Sequence, residues 1–123
     1  MSTKARKTVL AVSFALVAIL ASAIPVAAQS SHYSLQMENK TGYDLYKVYF
    51  SSVSSGEWGE DQLGPQRIFH DESTFTLTGI LPGRYDLMFV DKGGASCVVR
   101  NVPIYSNRYL GVSLGWLVDN CEA

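Results

Sequence analysis

The 123-residue chain holds only two histidines, two cysteines and four prolines. It has no G-x-S-x-G run, no Arg-Arg pair near its start and no cysteine behind its one long apolar stretch. Each absence removes a reading. The strained nucleophile turn of an α/β-hydrolase is not there. Twin-arginine export lacks its signal, and a lipid anchor lacks its attachment residue. His32 and His70 stand at no ligand spacing from the cysteines, so no metal site is predicted. Beyond residue 28 there is no long segment of period 3.6, no repeat and no low-complexity tract.

What is present begins with a three-part leader. Lys4, Arg6 and Lys7 form a positive region, and Thr8 to Ala23 is uncharged and mostly apolar. Val26, Ala27 and Ala28 supply small residues before Gln29. That layout predicts a secretory signal peptide over 1–28 and a domain over 29–123. The alternative is an uncleaved anchor, since about 20 apolar residues can span a bilayer. Pro25 and the small residues after it favour cleavage. Cleavage removes three of the ten basic residues and none of the eleven acidic ones, which leaves 7 against 11, a net charge of −4. A mildly acidic small domain offers no basic stripe to nucleic acid and no polybasic patch to a membrane. The expected location is the periplasm or the medium, with no stable membrane insertion after cleavage.

In an exported chain the pair Cys97 and Cys121 reads as a disulfide. A loop of this length is worth ~3 kcal/mol in loop-entropy terms. A metal pair is the competing reading, and it lacks histidine partners.

Period-two alternation marks the strands. Tyr33, Leu35 and Met37 alternate with Ser34, Gln36 and Glu38. Asn39 to Gly42 are turn residues. Asp44 to Ser52 is a second strand with bulk on both faces, predicted to form a hairpin with the first. Ser51 to Gly59 is a Ser/Gly loop, and Glu60 to Gly64 is expected to make one helical turn stopped by Pro65. Ser73 to Thr78 alternates again. Leu81-Pro82-Gly83 fits a type II turn with Gly83 at the position needing φ > 0. Arg84 to Asp91 and Ser96 to Val102 flank the turn Asp91 to Gly94, and Asn107 to Leu114 is a last strand before a closing segment that delivers Cys121. Six or seven short strands with frequent turns predict an all-β domain, a single small antiparallel β-sandwich, Ig-like or barrel-like.

Three pieces carry a resemblance: Asn39-x-Thr41-Gly42, then Trp58-Gly59-x-Asp61-x-Leu63-Gly64, then Gly83-x-Tyr85-Asp86-Leu87. Together they resemble a family of small exported bacterial proteins of unknown function. The resemblance implies a small exported domain with no established activity and no catalytic residues. That family often has a cysteine just before its Tyr-Asp-Leu strand, where this chain has Leu81 to Arg84.

The candidate site residues are Trp58, Glu57, Glu60 and Asp61. Trp58 suits stacking on a sugar or peptide, and equally suits a loop anchor. The three carboxylates are hard oxygen ligands, but they lack the spacing of a calcium loop and read as a solvated acidic run. Asp86 joined to Glu60 or Asp61 would make a paired-carboxylate acid–base set; alone it reads as an outward strand residue or one that pairs with Arg84 or a loop amide. His70, beside Asp71 and Glu72, reads as a surface histidine. Asn39-Lys40-Thr41 matches a glycosylation acceptor but reads as a turn. The seven tyrosines suit a recognition surface or plain strand positions. The functional expectation is a structural or binding domain whose partner is an unknown protein or envelope component. No catalytic residue and no cofactor are expected. A small carboxylate-dependent hydrolase or carbohydrate-active enzyme is the alternative. It requires two of Glu57, Glu60, Asp61 and Asp86 to meet beneath Trp58.

Overall fold

A computed structural model describes residues 31–122. The leader and the cleavage point before Gln29 therefore lie outside the described residues. The elements are β1 (Tyr33–Lys40), β2 (Leu45–Ser52), β3 (Thr74–Ile80), β4 (Gly83–Asp91), β5 (Ser96–Ile104), β6 (Arg108–Ser113) and a short helix α1 (Leu114–Asn120). They form two three-stranded sheets in the orders β3-β1-β6 and β2-β4-β5. The predicted sandwich is what the chain adopts, and the barrel-like variant is excluded because both sheets stay open. One pair departs from the antiparallel expectation: β1 and β6 run parallel.

The inward positions build the core. Leu35 and Met37 on β1, Leu77 on β3 and Leu110 and Val112 on β6 face Leu45 and Val48 on β2, Leu87 and Phe89 on β4, and Val99, Val102 and Ile104 on β5. Leu63 and Phe69 come from the long β2–β3 connection and are buried in the same cluster. A β-bulge between Leu45 and Lys47 shifts the β2 register, so Leu45 and Val48 both point inward.

The predicted hairpin between β1 and β2 does not form. The two strands lie in different sheets, and the turn between them is an arch. Its cause is Asn39, which continues the inward series Leu35, Met37 and is completely buried. Its Oδ1 accepts from the Thr41 amide at 3.0 Å and the Thr41 hydroxyl at 2.7 Å. Its Nδ2 donates to the carbonyls of Tyr43 at 2.8 Å and Phe69 at 2.9 Å. Every hydrogen-bonding site of the amide is occupied, as burial demands. The arch bends at Gly42, where φ is +86°. Since its nitrogen is engaged inside the fold, Asn39 offers no glycosylation acceptor in the folded state.

Two local expectations are also corrected. Gly83 does not adopt positive φ, so no type II turn forms; the chain instead passes from β3 to β4 across the sheets, and Gly83 already pairs with Ile104. What this corner needs is Tyr85. Its hydroxyl donates back to the Leu81 carbonyl at 2.6 Å, and its ring lies 3.6 Å from where a Gly83 Cβ would stand. A tyrosine at the start of this strand with this bond is the corner of immunoglobulin-type sandwiches. The pairing agrees: β1, β2, β3, β4 and β5 match strands B, C, E, F and G of that arrangement. Residues 60–64 make a turn closed by the Gly64 amide on the Asp61 carbonyl, not a helical turn.

The closing segment is α1. Ser113 caps it, accepting from the Trp116 amide at 3.1 Å. Leu117 is its buried residue. Its end is held by the predicted disulfide, Cys97–Cys121, whose Cα atoms are 5.3 Å apart. The tail continues onto the edge of β5, where the Glu122 amide donates to the Val98 carbonyl at 2.7 Å.

Candidate functional site

The Trp58 loop folds onto the outer face of the β2-β4-β5 sheet. Trp58 is half-buried, with its ring centroid 6.4 Å from that of Tyr49 and 5.6 Å from the Arg100 guanidinium carbon. The rest of the loop is organised by Asp61. Its Oδ1 accepts from the amides of Val48 and Leu63, each at 3.0 Å. The Gln62 amide donates to the Val48 carbonyl at 2.7 Å. So Asp61 ties the loop to the edge of β2, Leu63 plugs the core, and Gly59 and Gly64 take positive φ. The Trp-Gly-x-Asp-x-Leu-Gly piece is specified by packing.

Asp86 is likewise consumed by the fold. It is buried at the bulge between β4 and β5, where it accepts from the Asn101 amide at 2.9 Å and from Arg100 Nη1 at 3.1 Å. This anchors Asn101 at φ +64°. Arg100 also donates to Glu122 at 3.0 Å. Those bonds, Glu122 first and Asp86 next, raise the guanidinium above its ordinary value. Glu57 and Glu60 are exposed. Thus Asp61 and Asp86 are spent on separate backbone anchors, and Glu57 and Glu60 point to solvent. Among the described residues no three His, Cys, Asp or Glu side chains gather where they could hold a metal ion. His70 pairs with Asp44 at 3.3 Å rather than with its sequence neighbours. Asp44 is held below the usual carboxylate range, chiefly by the Asp71 amide. The exposed tyrosines are spread over the arch (Tyr43), the β5–β6 turn (Tyr105) and the outer face of β6, where Tyr109 bonds Glu38.

Replacing Trp58 by Ala is expected to cost about 1–2 kcal/mol, because half a tryptophan and one exposed cation–π contact are lost. A fully buried aromatic would cost about 3–5 kcal/mol. Urea unfolding measures the difference, and an unchanged midpoint would show that Trp58 does not anchor its loop.

A concave apolar surface lies elsewhere, at the end of the sandwich closed by α1. A groove of about 290 Å³ opens there between the arch, the β4–β5 hairpin and the helix. Leu45, Phe89, Leu117 and the disulfide form its floor and wall. Tyr43, Leu114 and Val118 stand on its rim, exposed by 63%, 49% and 74%. Asp91 is the one charged lining residue, and its Oδ1 is taken by the amides of Gly93 and Ala95, both at 2.9 Å. Sequence reasoning missed this site, because its walls come from three distant segments. An engineered apolar cavity of about 150 Å³ holds benzene, so this groove has room for roughly twice that bulk. Compared with known protein families, with curated proteins and with solved structures, the chain finds no match.

Proposed function

We propose that this protein is an exported, disulfide-stapled binding domain that takes an apolar group in the groove beside α1. The apolar group belongs to a secreted or envelope partner, and the domain works in the periplasm or the medium. The observation that carries this reading is the rim: three large apolar side chains stand in solvent around a concavity whose lining is mostly apolar. Such clustering costs solubility and marks recognition surfaces. The carboxylate-based hydrolase draws no support from the geometry, since its four residues are anchored apart or point to solvent. Kinship with the small exported bacterial family stays part of the proposal and rests on the Trp58 to Gly64 pattern.

The test uses Nile red, a neutral apolar fluorophore. Saturable binding to the native protein is expected. Val118→Asp places a charge on the rim without touching the core, and should weaken binding by about tenfold, the equivalent of ~1.4 kcal/mol. Trp58→Ala should leave binding unchanged. Equal binding by the Val118 variant would remove the groove from consideration.

A further inference from the structure

The two ends of the sandwich differ in charge. At the arch end stand the carboxylates of Glu38, Asp44, Asp71, Glu72 and Asp91, which outnumber Lys40, Lys47 and Lys92. The opposite end is where β1 begins. Hydrogen bonds and strand pairing join its pieces. The Val53 amide donates to the Arg84 carbonyl at 3.1 Å, and Arg84 stands opposite Pro103. Arg108 donates to the Pro103 carbonyl at 2.7 Å, and the Ser34 amide donates to Asn107 Oδ1 at 3.0 Å. Residues 52–55, 80–85 and 101–108 include Arg84 and Arg108 and hold no carboxylate. Asp86, next along β4, is buried and paired with Arg100. Glu57 belongs to the Trp58 loop, which folds onto the outer face of the β2-β4-β5 sheet. Each of the three loops at this end also presents one large apolar side chain to solvent: Val53, Leu81 and Tyr105. Apolar tips among cations, with an amphipathic tyrosine, suit the headgroup layer of an anionic bilayer.

We infer that this end of the domain docks on an anionic phospholipid surface, with Val53, Leu81 and Tyr105 among the headgroups and Arg84 and Arg108 on the phosphates. The entry of the chain favours this occupant. Ser31 and His32 lead directly into Tyr33, which pairs with Ile80. Only nine residues, 24–32, separate Tyr33 from the apolar run 8–23 that is predicted to enter a bilayer during export. That length of chain reaches no further than about 35 Å, so this is the end nearest the membrane as the chain is exported. Charge complementarity favours it too. The domain's net charge after cleavage is negative, and an anionic surface repels the acidic arch end while it attracts the two arginines. Docked this way, the groove beside α1 faces away from the bilayer. The inference shares with the proposed function only the export of the chain, and the ligand of the groove plays no part in it.

Co-sedimentation of the exported protein with lipid vesicles tests this. Binding is expected to vesicles of phosphatidylglycerol and phosphatidylcholine in equal parts, far less to phosphatidylcholine alone, and it should weaken with added salt. Arg84→Gln should lower the partition coefficient about fivefold, the equivalent of ~1 kcal/mol per cation at such a surface. Leu81→Asp should lower it about tenfold, because an apolar tip becomes a charge that the lipid repels. Both side chains are exposed, so neither variant should change the melting temperature. Lys92→Gln, which removes a cation from the arch end, should bind vesicles like the wild type. A wild type that stays in the supernatant overturns the inference. So does one that sediments with native envelope membranes but not with protein-free vesicles, which would assign this end to a protein. Undiminished binding by Leu81→Asp overturns it as well, and so does a loss in Lys92→Gln as large as in Arg84→Gln.

Discussion

Asn39→Asp is expected to destabilise the domain by about 3–5 kcal/mol at neutral pH, the range for a buried charge left without compensation. The substitution changes almost no volume, so packing is not the cause. It removes both Nδ2 donors, and the new oxygen then faces the carbonyls of Tyr43 and Phe69, which sit at 2.8 and 2.9 Å from the present nitrogen. Each carbonyl loses one donor, Phe69 keeping the Leu45 amide and Tyr43 the Thr41 hydroxyl, while the carboxylate is left facing both from a fully buried position. Oδ1 can still accept from Thr41, so the arch keeps one half of its clasp. The pH dependence distinguishes this account from a generic defect. Burial and the facing carbonyl oxygens raise the introduced carboxyl's pKa in the folded state above its unfolded value. The folded variant therefore binds more protons than the unfolded chain across that interval, and its stability falls as pH rises through it. The gap between variant and wild type should be clearly smaller near pH ~4.5 than near pH ~7.5. Urea unfolding at both values measures it. An equal gap at the two values would mean that the buried charge is not what destabilises the arch.

Asn39 also shows where a local reading of the chain stops. Turn composition at Asn39-Lys40-Thr41-Gly42 correctly indicates a reversal, and Gly42 does take the positive φ that such a turn wants. Composition says nothing about which sheet the next strand joins. The available signal was the polar side chain at the inward position after Leu35 and Met37: a buried amide must find four partners, and a two-residue hairpin does not supply them. Leu81-Pro82-Gly83 misleads in the same way. Its corner is decided by Tyr85, whose hydroxyl reaches back to Leu81. Strand positions were legible because alternation is a property of each strand alone. The bulge at the start of β2 was not, since one extra residue leaves no mark on composition. Helix α1 is seven residues long, too short for a helical period to declare itself. The groove was illegible in principle, since residues 41–45, 89–97 and 114–121 acquire a common wall only when the sandwich closes. The Trp58 loop was conspicuous for the opposite reason. Its tryptophan, carboxylate and paired glycines form a contiguous pattern, and what that pattern specifies is attachment to β2.

Replacing both Cys97 and Cys121 by Ser is expected to cost about 2–4 kcal/mol, with a consequence confined to one end of the molecule. The bond closes a loop across 24 residues of sequence separation, and its removal enlarges the unfolded ensemble. In the folded state it fastens the end of α1 to the start of β5. Without it the helix rests on Leu117, its Ser113 cap, and the tail's backbone bond at Val98 with the exposed Arg100–Glu122 pair. A seven-residue helix has little stability of its own, and an exposed ion pair adds little more. The sheets have no such dependence, because their cores are held by Leu87, Phe89 and their neighbours. The expected outcome is a sandwich that keeps its β-sheet signal below its lowered melting temperature while α1 and the tail exchange amide hydrogens faster. Since the disulfide, Leu117 and Val118 are one wall of the groove, Nile red binding should fall in parallel, and mild reduction of the wild type should reproduce both effects. Loss of dye binding with α1 still protected would separate the groove from the helix that walls it. Unaltered exchange in α1 would show that packing alone, and not the disulfide, seats the helix on the sheet.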